Sequence, residues 1–96
     1  MVQRVTVTAE TPVELKPLIQ SAIRAELKTL AHGIERTRER LAAFEKQSGL
    51  SSAEFGRRLA ARELPDSLDF SEWQGEIETL RRLEDQQRAL EQSQLS

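Results

Sequence analysis

His32 is the one histidine of the chain, and there is no cysteine. Thiolate nucleophiles, disulfide frameworks and thiolate metal sites are therefore excluded from the start. A histidine with neither a second histidine nor a cysteine beside it fits a surface or interface position better than a ligand or a catalytic base. The acidic pairs Asp69 with Glu76 and Glu84 with Glu91 stand seven residues apart on helical faces, and the neighbours Glu84 and Asp85 point in different directions. Solvated helix faces account for them. No serine lies in a nucleophile-elbow pattern, and no glycine-rich loop of the phosphate-binding kind is present. The expectation is a non-enzymatic protein with no cofactor, no metal and no small-molecule substrate.

Basic residues invite a nucleic-acid reading. Arg36, Arg38 and Arg40 alternate along one helix, and Arg57, Arg58 and Arg62 mark another. Residues two apart on a helix do not share a face, so the first cluster is spread around its cylinder. Phosphate binding would also call for a net positive domain, whereas the formal charge is −2. A more specific DNA alternative rests on Arg4, Thr6 and Thr8, which share the polar face of an N-terminal strand. A strand before a Pro-initiated helix opens a ribbon-helix-helix pattern, in which two strands pair across a dimer and enter the major groove. That pattern requires a turn and a capped second helix about fifteen residues on. Leu30-Ala31-His32-Gly33 supplies no capping residue.

The elements that position these groups are helical. Ile23, Leu27, Leu30, Ile34, Leu41 and Phe44 recur at alternating steps of four and three, with Thr37 in the remaining seam position. A stripe this narrow must lie against another helix. The spacing predicts a long helix over 17–47, ended by Ser48-Gly49, with a turn or kink near Pro17 and a cap at Thr11. Ser51 or Ser52 caps a short helix over 51–61, with Glu54 completing a capping box. A loop containing Pro65 follows, and Asp69 or Ser71 caps a last helix over 69–92 carrying Phe70, Trp73, Ile77, Leu80, Leu83 and Leu90. Residues 62–96 hold four basic and nine acidic side chains, against seven and four in 16–46. The two arms therefore complement each other in charge, favouring an antiparallel hairpin. Gly33 lies inside the long helix, where close approach of a partner would explain it.

At the N-terminus, residues 1–16 form an arm. Val5 and Val7 alternate with Arg4, Thr6 and Thr8, a short strand with one apolar face. The chain offers no second strand by its pattern, and a lone strand is unstable. Pairing across a dimer axis or addition to a partner's sheet is expected, with the last six or so residues fraying.

Around the hinge the sequence reads Phe44-Glu45-Lys46-Gln47-Ser48-Gly49-Leu50-Ser51-Ser52-Ala53-Glu54-Phe55, then Arg62-Glu63-Leu64, an acidic turn, and Leu68-Asp69-Phe70-Ser71-Glu72-Trp73. This resembles a pattern of small prokaryotic helical proteins over about residues 30–85, with a Gly-Leu-Ser-Ser turn, a Glu-Phe pair and an Asp-x-x-Glu-Trp helix start. Such proteins are often encoded beside a small toxin, including toxins of the TumE type, as the antitoxin-like partner. The chain departs from the pattern at Gln47-Ser48, where an aromatic residue is common, and at Leu64-Pro65, where glycine and acidic residues are usual.

The expected fold is thus mainly α, a single domain over 1–96 comprising a short strand, a long helix, a short helix and a C-terminal helix in an antiparallel hairpin, and dimeric. The resemblance implies an antitoxin-like protein–protein interaction module, with a cognate toxin or a second copy as partner. A structural coiled-coil homodimer is the other alternative to DNA binding. The residues expected to meet a partner are Val5 and Val7 in the strand, and Ile23, Leu27, Leu30 and Ile34 in the part of the seam that a shorter C-terminal helix would leave bare. With no apolar run near the ~18–20 residues of a membrane span and no signal-peptide pattern at the first residues, a cytoplasmic location is expected.

Overall fold

A computed structural model describes residues 3–10 and 14–95. Strand β1 (Gln3–Val5) leads into helix α1 (Leu15–Ser48), then α2 (Ser52–Ala60), α3 (Leu68–Glu91) and strand β2 (Ser93–Leu95). Helices α1 and α3 pack along each other as the two arms of a hairpin, with α2 across its closed end. The molecule measures 60 × 22 × 18 Å.

Helix α1 begins two residues earlier than its pattern suggested, with Glu14 as an N-cap that makes no side-chain cap bond. The expected cap Thr11 lies outside the described residues. Pro17 needs no separate turn, because it is the third residue of the helix. Its missing N–H belongs to the first turn, where no intrahelical acceptor exists. At the other end Gly49 takes φ 76°, and its N–H donates to the Glu45 carbonyl at 2.8 Å. A left-handed residue stops the helix there, and glycine adopts that backbone without the Cβ penalty.

Helix α2 starts where the capping box placed it, with the Ser51 hydroxyl accepting from the Glu54 N–H at 3.1 Å. It ends in a Schellman motif: the Arg62 N–H donates to the Leu59 carbonyl and the Glu63 N–H to the Arg58 carbonyl. Arg62 holds φ 58° there, a conformation costing a non-glycine residue about 1–2 kcal/mol. Ser67, rather than Asp69 or Ser71, caps α3, its hydroxyl accepting from the Phe70 N–H at 3.0 Å. The helix thereby gains its first turn from the loop, and Leu68 in that turn is largely exposed.

The core lies at the closed end. Leu41, Phe55 and Trp73 are buried, with Phe44, Leu50, Leu59, Leu64, Phe70, Ile77 and Leu80 packed around them. Further along the seam Leu30, Ile34 and Thr37 are buried between the arms. Thr37 satisfies its hydroxyl by donating to the Gly33 carbonyl one turn back, at 2.8 Å.

The largest departure from expectation is at the open end. β1 pairs with β2 of the same chain, in parallel, with Gln3 opposite Ser93, Arg4 opposite Gln94 and Val5 opposite Leu95. No second chain is needed to complete this pair, and Ser93–Leu95 are ordered as a strand rather than frayed. Antiparallel packing of α3 on α1 carries the end of α3 back to the N-terminal arm, which supplies the unpaired N–H and C=O groups that a polar tail can meet.

Candidate interaction surface

The hinge residues that carry the resemblance are occupied with one another. The Glu45 carboxylate accepts from the Ser52 N–H at 2.6 Å, capping α2 from the end of α1. Ser52 in turn offers its hydroxyl to the Trp73 indole N–H at 3.0 Å. The Trp73 ring, 1% exposed, stacks with two phenyl rings, Phe55 at 4.0 Å and Phe44 at 5.6 Å between centroids, both nearly parallel to it. The Ser-Ser dipeptide thus caps one helix with its first residue and anchors the other with its second. A serine in each position was legible in the sequence; the indole as partner of the second was not, since 21 residues separate them.

Charge is arranged on the outside of this frame. Arg38 reaches Glu84 at 3.0 Å and Arg40 reaches Glu76 at 3.5 Å, tying α1 to α3. The cross-arm attraction expected from composition takes this form. Being exposed pairs, they set arm pairing more than they stabilise it. On α2 the Glu54 carboxylate takes two bonds from Arg57 and one from Arg58. These hydrogen bonds, Arg57's first, pull the Glu54 carboxyl from 4.5 down to about 2, and the same bond raises the Arg57 guanidinium above its ordinary value. The Glu54 carboxylate is thus spent on Arg57 and Arg58, and it is the backbone N–H of Glu54 that takes part in the Ser51 cap. Among the described residues no three of His, Asp and Glu are grouped as metal ligands, and no helix is long and apolar enough to cross a membrane.

The residues expected to meet a partner fall into two sets. Val5 and Val7 are 42% and 41% exposed. Ile23 and Leu27 are half-buried, lining a cleft of about 740 Å³ with Leu90 and Ser93 opposite. Leu30 and Ile34 are withdrawn from any open surface, at 6% and 7% exposed. The seam is covered further than a shorter C-terminal helix was expected to reach, because the register sets Leu83 against Gly33 and so brings Leu90 level with Ile23 and Leu27. The same register sets Leu83 over Gly33, where a Cβ would meet that side chain at 3.4 Å, an ordinary van der Waals contact, so packing within the chain leaves room for an alanine there.

Arg4, Thr6 and Thr8 are exposed. Helix α1, however, runs unbroken through Leu30–Gly33 for 34 residues, and so lacks the turn that a ribbon-helix-helix arrangement requires. Set against family models, curated proteins and solved structures, the chain matches none.

The two flanks of the hairpin each carry a groove. On one, a groove of about 580 Å³ is lined by Arg40, Ala43, Phe44 and Gln47 from α1 and by Glu72, Gly75, Glu76 and Thr79 from α3. It continues past Arg40 and Thr79 toward Gly33 and Gln86. On the other, Glu35, Arg38 and Glu39 crowd the groove beside Ala31, Ile34 and Ala42. Each flank carries three charged side chains beside its small and apolar ones, Arg40, Glu72 and Glu76 on the first and Glu35, Arg38 and Glu39 on the second.

Proposed function

We propose that this chain is a non-enzymatic, antitoxin-like interaction protein acting in the cytoplasm, whose helical hairpin covers a small partner protein. The observation that carries the reading is surface. A compact chain of 10.9 kDa exposes roughly 5,600 Å², whereas this one exposes 7399 Å². The excess of about 1,800 Å² exceeds the ~800 Å² each partner buries in a standard interface. Support also comes from the hinge, where the residues shared with antitoxin-like proteins form one closed network that holds the hairpin open-faced and stiff.

In this reading the exposed strand residues Val5 and Val7, with the half-buried Ile23 and Leu27, form the contact for the partner at the open end. Among the described residues strand β1 pairs along one edge only, with β2, so a partner strand would add along the other through backbone hydrogen bonds. The test is co-expression with the product of the adjacent reading frame. Expected are relief of that product's toxicity and co-purification of the two chains, both lost in Val5→Asp/Val7→Asp. If the neighbouring product is harmless, or co-purifies equally with the double variant, the reading is wrong.

A further inference from the structure

We infer that the tail after Glu91 is a two-state latch, a strand while β1 lies beside it and a further turn of α3 when β1 is withdrawn. Both states belong to the chain alone, whatever partner it meets.

Three observations carry this. First, α3 lacks the local stop that ends the other two helices. Gly49 stops α1 and Arg62 stops α2, and among the described residues these are the two with positive φ. Helix α3 instead runs into Gln92, which stays in the right-handed region at φ −92° and ψ 0°, and neither glycine nor proline occurs from there to Ser96. Second, the residues beyond it suit a helix better than a strand. Glutamine and leucine are good helix formers and serine an average one, and none of the three belongs to the β-branched and aromatic types that favour strands. Ser93 even keeps a helical bond: its hydroxyl donates to the Ala89 carbonyl one turn back at 2.7 Å, the acceptor its own N–H would take in a longer helix. Third, the ladder that draws the tail out of the helix is small and isolated. It has two strands of three residues each, paired in parallel, with no third strand among the described residues. Two strands alone are marginal in water, and parallel pairing is the weaker kind.

The strand and helix states of the tail are thus close in free energy, and the backbone groups of β1 decide between them. When another chain takes those groups, residues 92–95 join α3 and lengthen it by about 6 Å at ~1.5 Å per residue. Ser93 lines the open-end cleft beside Ile23, Leu27 and Leu90, so the change of state redraws the wall of that cleft.

The experiment is NMR of the full chain, reading the Cα shifts of Ser93, Gln94 and Leu95 in wild type, in Arg4→Pro/Val5→Pro, and in that variant with Gln92→Gly added. Successive residues of a strand direct their N–H groups to opposite edges, so one of the two prolines removes a donor that faces β2. The core around Trp73 lies at the far end of the hairpin, and its indole N–H resonance reports that it stays folded. Wild type should place all three shifts upfield of random coil, as strand residues do. The proline variant should move them downfield, as helical residues do, and Gln92→Gly should reduce that displacement, since glycine disfavours helix. Tail shifts that stay upfield or stop at random coil in the proline variant overturn the inference, as does a wild type that is not upfield. A downfield tail indifferent to Gln92→Gly would not be an extension of α3. Loss of the folded Trp73 resonance on breaking the strand pair would overturn the latch too, because the pair would then be part of what holds the fold.

Discussion

Removing the Trp73 indole tests the central claim about this fold, that one ring holds the closed end of the hairpin. Trp73 is 1% exposed, with a phenyl ring on each side and its N–H bonded to Ser52 Oγ. A buried tryptophan removes about 150–250 Å² from water, worth about 4–6 kcal/mol at ~25 cal/mol per Å². Trp73→Ala should therefore cost about 3–5 kcal/mol once partial collapse of the site is allowed for. A chain of this length has a total stability of roughly 5–14 kcal/mol, so the loss removes from about a fifth to all of it. The hydrogen bond is separable. Ser52→Ala leaves the indole N–H buried and unpaired, a loss of about 1–3 kcal/mol. In a cycle with Trp73→Phe, the two substitutions should couple by about 0.5–1.5 kcal/mol. Urea unfolding followed by circular dichroism at the helix band measures the wild type and all four variants. A Trp73→Ala loss below about 2 kcal/mol would refute the anchor, and additive losses in the cycle would refute the Ser52 bond.

Three further outcomes follow from local geometry. Gly49→Ala forces a Cβ into the left-handed region at φ 76° and should destabilise the hinge by about 1–2 kcal/mol in the same urea assay. Gly33→Ala places its methyl in van der Waals contact with Leu83 and gains helix propensity, so the melting temperature should rise by about 4–8 °C for a gain near 1 kcal/mol. Glu54, held at about 2 by Arg57 and Arg58, contributes stability that is complete above its ordinary value of 4.5 and lost as pH falls toward 2. Carboxyl NMR should return Glu54 to near 4.5 in Arg57→Ala/Arg58→Ala; a value still near 2 would mean that the arginines are not the cause.

Local rules were written plainly in this chain. Ser51 and Glu54 mark the start of α2, Gly49 marks the end of α1, and the four-three stripe marks the seam; each depends on residues within one or two helical turns. Charge segregation between 16–46 and 62–96 likewise announced the antiparallel arms that Arg38–Glu84 and Arg40–Glu76 now tie together. The cap of α3 was missed because Ser67, Asp69 and Ser71 are all competent, and only the position of Leu68 in the first turn selects among them.

What the sequence by itself determined is the set of elements and the aromatic hinge, because capping, turn and periodicity signals act over a few residues. Tertiary structure alone decided how far the arms overlap. A helical stripe repeats every seven residues, so it fits its partner equally well at several registers, and the contact of Leu83 with Gly33 chooses one. That choice buries Leu30 and Ile34 within the chain and brings the end of α3 to the N-terminal arm. It also decided β2: Ser93-Gln94-Leu95 has no strand character of its own, and it pairs because the fold delivers it to an unpaired edge.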